Sequence, residues 1–330
     1  MKFSIIVPVY NIEDKIQKCS SSIENQSFSD FEVLVIIDGA TDESKAICDK
    51  FEQRDNRFKV RYKENGGLVS ARKYGAKIAL GEYIINIDGD DYVEKDYLME
   101  ANSIIERYCP DTIAFGYKEV ASKITKCKNV SADGLYEKEK LLSIKKFIIY
   151  DSNLKGFQGG SLINTIWTKV VKREIYQKCQ TLIPNHITVG EDLLLNAYLM
   201  DEISSLYVTN KTFYNYVVYA SSMMHSCNVE NFKHYLNVAR ELNKIYYICE
   251  NDINVYVFQA YISEIRKVAK YSKDYNEFEE IMNKCEKEVS ELREYARRAK
   301  VERYNFEFFV KHILVKLSNR SLMYFVCKYS

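Results

Sequence analysis

Residues 82–93 read EYIINIDGDDYV. The apolar run at 82–87 has the length of a buried strand, and it stops abruptly in Asp88-Gly89-Asp90-Asp91. Three carboxylates in four residues repel one another at the end of such a strand. They destabilise the fold unless a cation sits among them. Hard oxygen ligands suit Mg2+ or Mn2+, which share their coordination between one or two carboxylates and substrate phosphates. Gly89 permits a tight turn and the close approach of a phosphate. An ordinary acidic turn is the competing reading, and these four residues alone do not separate the two.

Working outward, the first 120 or so residues alternate strand and helix patterns. Residues 3–9 (FSIIVPV) and 31–37 (FEVLVII) are continuous apolar runs, as expected of strands buried on both faces. Ile12, Ile16, Cys19 and Ile23 recur at helical spacing, and Asp42-Glu43-Ser44 opens a second helix. A short strand follows at 58–62, then a helix whose face is marked by Leu68, Ala71, Gly75, Ile78 and Ala79. Such alternation predicts an α/β fold, a mostly parallel sheet covered by helices. Ligands bind such sheets outside the carboxyl ends of the strands. Pro8, Tyr10 and Asn11 stand at the first of those ends and Asp38 at the second. Asp38 is either a turn residue or an acceptor for a ribose or base. Gly66-Gly67 and Arg72 could bring backbone and a guanidinium to phosphate, or Arg72 could be a solvated helix residue.

The remainder is less regular. Strands are expected at 111–120, 206–208 and 212–218, helices near 137–150 and 191–201, and a segment carrying Trp167 at 164–175. From about residue 229 the pattern is all helical. The expected organisation is therefore 1–120, 121–225 and a helical region at 226–330. With 330 residues, 47% of them hydrophobic, the chain can bury a sizeable core. A net charge of +1 gives no support for nucleic-acid binding. No apolar run approaches the ~20 residues needed to span a bilayer. MKFSIIVPVYN reads as a first strand rather than a leader, because Asn11, Glu13 and Asp14 interrupt it. The nine cysteines contain no C-x-x-C pair and read as free thiols of a reducing, cytoplasmic compartment.

Taken together, SIIVPVYN (4–11), IIDGATDES (36–44) and ENGGLVSARKYGAKIALGEYIINIDGDDYV (64–93) resemble glycosyltransferase family 2. IWTKVVKRE (166–174) and VGEDLLLNAYL (189–199) extend the resemblance to roughly residue 220. It implies the GT-A fold ahead of the helical region read from the pattern, and inverting transfer of a hexosyl or N-acetylhexosaminyl group. The implied donor is a nucleotide diphosphate sugar, UDP-linked by first expectation. The implied acceptor is a glycan or lipid-linked glycan in surface polysaccharide synthesis. Pro8, Tyr10, Glu13 and Asp38 would line the base and ribose, with Arg72 near the diphosphate. Asp88-Gly89-Asp90 would be the D-x-D element, with Asp90 on Mn2+ or Mg2+ and Asp88 nearer the ribose or a metal-bound water. Asp192 would be the catalytic base, Glu191 a partner for acceptor hydroxyls, and Trp167 and Lys169 would border the acceptor. Ala40 and Lys73 depart from the family's frequent Ser and Asn and leave fine contacts open.

The chemistry needs charge stabilisation at the departing diphosphate, a base for the acceptor hydroxyl, and alignment of the two substrates. Glu191-Asp192 opens an apolar helix, where the dipole favours negative charge whatever the function. His225 is either a third metal ligand or a packed or surface histidine. Trp167 is either core or a platform for a sugar ring. At 305–330, Phe306, Phe309, Val310, Ile313, Leu314 and Leu317 predict one apolar face, with Lys311, Lys316, Arg320 and Lys328 outnumbering Glu307. That pattern fits a helix packed on the protein or one lying on an anionic membrane. Three other activities compete. A sugar nucleotidyltransferase wants a Gly- and Arg-rich loop where PVYNIEDK stands, and a phosphohydrolase wants its D-x-D on the first strand. A non-catalytic nucleotide-sugar-binding scaffold is disfavoured by the intact Asp38, Asp88, Asp90 and Asp192.

Overall fold

The computed structural model describes residues 1–121, 125–128, 133–145, 164–219, 230–284, 286–300, 306–317 and 319–329. The chain divides into two compact units, Met1–Lys145 with Ser161–Tyr219, and Lys146–Gly160 with Ala220–Ser330.

The first unit begins with β1 (Phe3–Val9), α1 (Ile16–Glu24), β2 (Phe31–Asp38), α2 (Ser44–Arg54), β3 (Phe58–Lys63), α3 (Gly67–Ile78) and β4 (Tyr83–Asn86). It continues through β5 (Tyr92–Val93), α4 (Tyr97–Tyr108), β6 (Thr112–Val120), β7 (Thr125–Lys128), β8 (Gly134–Glu137) and α5 (Lys138–Lys145). It closes with β9 (Lys169–Lys172), α6 (Arg173–Leu182), α7 (Glu191–Glu202) and β10 (Ser205–Val217). The sheet runs β3-β2-β1-β4-β9-β6-β10-β5, with β7 on β6 and β8 on β10. β3, β2, β1 and β4 are parallel neighbours, and β6 and β10 pair in parallel. β2 is buried at every position, as its unbroken apolar run requires.

The deviations from expectation lie in the second half. The 164–175 segment contains β9, which inserts antiparallel between β4 and β6. The strands expected at 206–208 and 212–218 are one strand, β10, whose register against β6 shifts between Thr209 and Thr212 and again before Tyr214. Polar residues Asn210 and Lys211 interrupt its alternation, so a sequence pattern sees two pieces. α3 is also turned from its expected face: Leu68 is exposed, while Val69, Ala71, Arg72, Gly75 and Ala76 are buried. Gly75 sets this packing, because a Cβ there would stand 2.7 Å from the Ile6 side chain of β1. The helix therefore lies against the sheet, and Arg72 is carried inward one turn earlier.

The described residues of the second unit are helical: α8 (Glu230–Leu242), α9 (Glu250–Tyr271), α10 (Tyr275–Lys284), α11 (Glu286–Arg298), α12 (Phe306–Leu317) and α13 (Arg320–Tyr329). α9 is the central helix, packing against α8, α11 and α13. The apolar face expected for α12 is corrected: Lys311, His312, Leu314 and Val315 are buried, whereas Ile313 and Leu317 are 40% and 67% exposed. The side chains of Phe306 and Phe309 lie outside the described set. No described helix is long and apolar enough to cross a membrane.

Candidate active site

Asp88 stands two residues after the end of β4, and Asp192 lies in the first turn of α7. Arg72 joins them. Its guanidinium donates from Nη1 to Asp192 Oδ1 at 2.6 Å and from Nη2 to Asp88 Oδ1 at 3.0 Å, and Nη1 lies 3.6 Å from Glu191 Oε1. Arg72 is 2% exposed. Burial alone would weaken its hold on the proton, but Asp192, Asp88 and Glu191 outweigh that effect and keep the guanidinium charged. Burial, then the Asp192 and Asp90 charges, push the Asp88 carboxyl up against the pull of Arg72. Burial and the Asp192 charge also raise Glu191, again opposed by Arg72.

Asp192 is held from a second side, its Oδ2 accepting from the Ile166 amide at 3.2 Å. Lys169 is 3% exposed, and its ammonium donates to the Thr165 carbonyl. Burial lowers its pKa to about 7, with Asp192 pulling the other way. Lys169 is thus a buried neighbour of Asp192 rather than an open rim residue. Trp167 is 8% exposed, stacked on Tyr214 and Tyr216 with Tyr117 edge-on. It is buried against these rings, so its place is the core beside the site.

The acidic turn splits into distinct roles. Asp91 is 2% exposed, and both of its oxygens are used on β10, accepting from Tyr214 Oη at 2.7 Å and the Val217 amide at 2.8 Å. Burial, then the Asp88 charge, push its carboxyl up to about 8. Asp90 is half-buried, and among the described residues its carboxylate has no hydrogen-bond or ion-pair partner. A Cβ on Gly89 would stand 2.5 Å from Ile12 Cδ1 and 3.1 Å from the Pro8 carbonyl. A side chain there would thus have to displace the tip of Ile12 and press on the Pro8 carbonyl of β1.

The remaining expected residues flank this centre. Asp38 is buried at the end of β2, accepting from the Gly66 and Gly67 amides at 3.0 and 2.8 Å and from Lys63. It ties the start of α3 to β2 and keeps little free acceptor capacity for a nucleotide. Glu13 Oε2 accepts the Glu43 amide at 2.7 Å at the start of α2, while Tyr10 is 52% exposed beside it in the chain. His225 lies outside the described residues.

Sequence reasoning missed Tyr214 and the anchoring role of Asp91. With 27 tyrosines in the chain, no single one stands out. The fourth position of the DGDD run was visible, but its partners were not.

In this α/β unit the acidic turn after β4 and the acidic start of α7 are thus joined by one buried arginine. The family model for glycosyl transferase family 2 matches residues 4–178, more than half of the chain, and the chain belongs to that family. It is similar to "Glycosyltransferase GlyA" of Streptococcus pneumoniae, 33% identical over 67% of this chain and 31% of GlyA. It is also similar to "Uncharacterized glycosyltransferase EpsJ" of Bacillus subtilis, 28% identical over 77% of this chain and 74% of EpsJ. The chain thus spans less than a third of GlyA's length. Among solved structures, Staphylococcus aureus TarS 1–349 in complex with UDP-GlcNAc superposes with a TM-score of 0.64 at 19% identity. That alignment covers 99% of this chain and 91% of the TarS chain, and shows the GT-A fold.

Proposed function

We propose that this protein transfers a sugar, with inversion, from a UDP-sugar to a hydroxyl of a glycan or lipid-linked glycan in surface polysaccharide synthesis. The observation that carries the reading is the Arg72 bridge, which brings the carboxylates of the donor turn and the α7 start to one guanidinium. Residues 1–120 supply the donor side, and 121–225 the acceptor side. The crystal structure of TarS with UDP-GlcNAc supports a UDP-sugar as donor. A matching relative named poly(ribitol-phosphate) beta-N-acetylglucosaminyltransferase supports a polymer as acceptor.

Asp192 takes the proton of the acceptor hydroxyl as the new bond forms, held in place by Arg72 and the Ile166 amide. Glu191, part-buried and biased toward its neutral form, is placed to donate a hydrogen bond to the acceptor. Among the described residues no group of three or more His, Cys, Asp or Glu side chains is arranged to hold a metal ion. Among the described residues Asp90 and Asp88 would be the ligands, a hard, incomplete donor set that fits Mn2+ or Mg2+ completed by phosphate oxygens and water. When bound, the cation draws off charge developing on the departing diphosphate. A cytoplasmic site with peripheral membrane contact belongs to the same proposal. α12 and α13 expose Ile313, Leu317, Leu322 and Phe325, and the charged side chains of 310–329 are all basic.

The test is Asp192→Asn, which preserves shape and the Ile166 hydrogen bond. Transfer should fall ~10²–10⁴-fold with UDP affinity nearly unchanged. Near-normal turnover would move the base elsewhere, Glu191 first. Loss of UDP binding would put Asp192 in the donor site.

A further inference from the structure

We infer that Tyr214 and Trp167 are a positioning pair that sets the distance between the Asp88–Asp91 turn and Asp192. The inference rests on the function proposed above and concerns residues that touch neither substrate.

Tyr214 is fully buried, and its hydroxyl is used twice on the turn. It donates to Asp91 Oδ2 at 2.7 Å and accepts the Asp88 amide at 3.2 Å. A purely packing ring would need no hydroxyl, since phenylalanine fills the same space without a polar atom to satisfy. The Val217 amide, on the same strand, takes the other oxygen of Asp91. β10 therefore grips the turn by its fourth residue and leaves Asp90 free.

On its other side the Tyr214 ring stacks on Trp167 at 4.5 Å and 28°. Trp167 is adjacent in the chain to Ile166, whose amide holds Asp192 Oδ2. A continuous path thus runs from the turn through two stacked rings to the backbone that orients Asp192. Stacked aromatics in a filled core have few alternative separations, so the path acts as a spacer. Arg72 supplies an attraction between the same two ends, and attraction without a spacer would let them collapse together. The pair is accordingly a geometric constraint on how far apart the diphosphate and the acceptor oxygen are held.

The two variants that test this keep both rings aromatic. Tyr214→Phe removes the hydroxyl but retains the stack, and Trp167→Phe shortens the spacer but retains the hydroxyl. UDP binding is measured by calorimetry across a Mn2+ series. Turnover is measured as hydrolysis of the UDP-sugar that wild type cleaves fastest among UDP-GlcNAc, UDP-glucose and UDP-galactose, and melting temperature is recorded for all proteins. Tyr214→Phe should weaken Mn2+-dependent UDP binding about tenfold, because the Asp88 amide and Asp91 lose their shared partner. Trp167→Phe should leave UDP binding unchanged and lower kcat about tenfold at constant KM, because it displaces the base end alone. Wild-type UDP affinity at every Mn2+ concentration in Tyr214→Phe, or unchanged kcat in Trp167→Phe with only a lower melting temperature, would overturn the inference. Failure of wild type itself to bind Mn2+–UDP or cleave any donor would overturn the proposed function, and this inference with it.

Discussion

Arg72→Lys keeps the positive charge but not the fork. In the wild type one guanidinium reaches Asp192 at 2.6 Å and Asp88 at 3.0 Å through different nitrogens, with Glu191 3.6 Å away. A lysine ammonium is a point charge on a flexible stem and cannot hold both carboxylates in that planar arrangement. One charge-assisted hydrogen bond is lost, worth about 1.5–3 kcal/mol. If that loss is felt in the transition state, kcat/KM falls roughly 10- to 150-fold. Nothing further is lost at Nε, which is buried and makes no hydrogen bond in the wild type. Arg72→Ala is a poorer probe: it leaves three part-buried carboxylates, 15–26% exposed, without their cation, and breaking a fully buried pair costs about 3–5 kcal/mol, a large part of the total stability of a typical domain.

The assay pairs steady-state kinetics with melting curves across a Mn2+ series. Mn2+ should raise the melting temperature of the lysine variant more than that of wild type, since the cation replaces a lost partner of Asp88. Arg72→Gln adds a pH signature. Asp88 and Glu191 already hold protons more tightly folded than unfolded. Removing the cation raises both further. A folded state that binds more protons loses stability as pH climbs from the unfolded carboxylate range, ~4, toward the raised folded value. The glutamine variant should therefore lose stability more steeply than wild type above that range. Wild-type kinetics in Arg72→Lys, with no change in Mn2+ response, would refute the idea that Arg72 couples the two carboxylates.

Three further outcomes are expected. Chelation should abolish transfer, Mn2+ or Mg2+ should restore it, and Asp90→Asn should lose UDP affinity as well as turnover; full activity in excess chelator removes the metal from the mechanism. Lys169 has a folded pKa of about 7 against ~10.4 unfolded, so its burial penalty is complete below 7 and relieved as pH rises toward 10. Lys169→Met should thus be more stable than wild type at neutral pH, with urea midpoints showing the advantage shrinking by at most about 1.4 kcal/mol per pH unit across that window. Leu317→Glu and Phe325→Glu, at positions 67% and 51% exposed, should leave melting unchanged but reduce co-sedimentation with anionic vesicles, most visibly at low salt; undiminished sedimentation argues against this surface as the contact.

Which of these features the sequence disclosed follows from the range of the interactions involved. β1 and β2 were legible because a strand buried on both faces must be apolar throughout, a constraint each run carries within itself. The acidic turn was legible for the opposite reason, since its charges are too close together to pass unnoticed. β9 and the short β5 carry weaker patterns, and their partners lie far away in the chain: β9 is defined by β4 and β6, and β5 by β10. The α12 face was misread because, among its described side chains, the charged and polar Lys311 and His312 join Leu314 and Val315 inside.

Arg72 holds the sharper lesson. Its partners are 16 and 120 residues away, so no local pattern could name them. Yet Arg72 stands at i, i+3, i+4 and i+7 with Gly75, Ala76 and Ala79, all buried. An arginine on the small, apolar stripe of a helix that packs against a sheet cannot be a solvated residue, and a guanidinium without counter-charges would be prohibitively costly there. That position alone demanded carboxylates from elsewhere in the fold, and the chain offers them at strand and helix ends that such a helix can reach. The charge on the buried face thus calls for carboxylates, and the fold supplies them from Asp88 and Asp192.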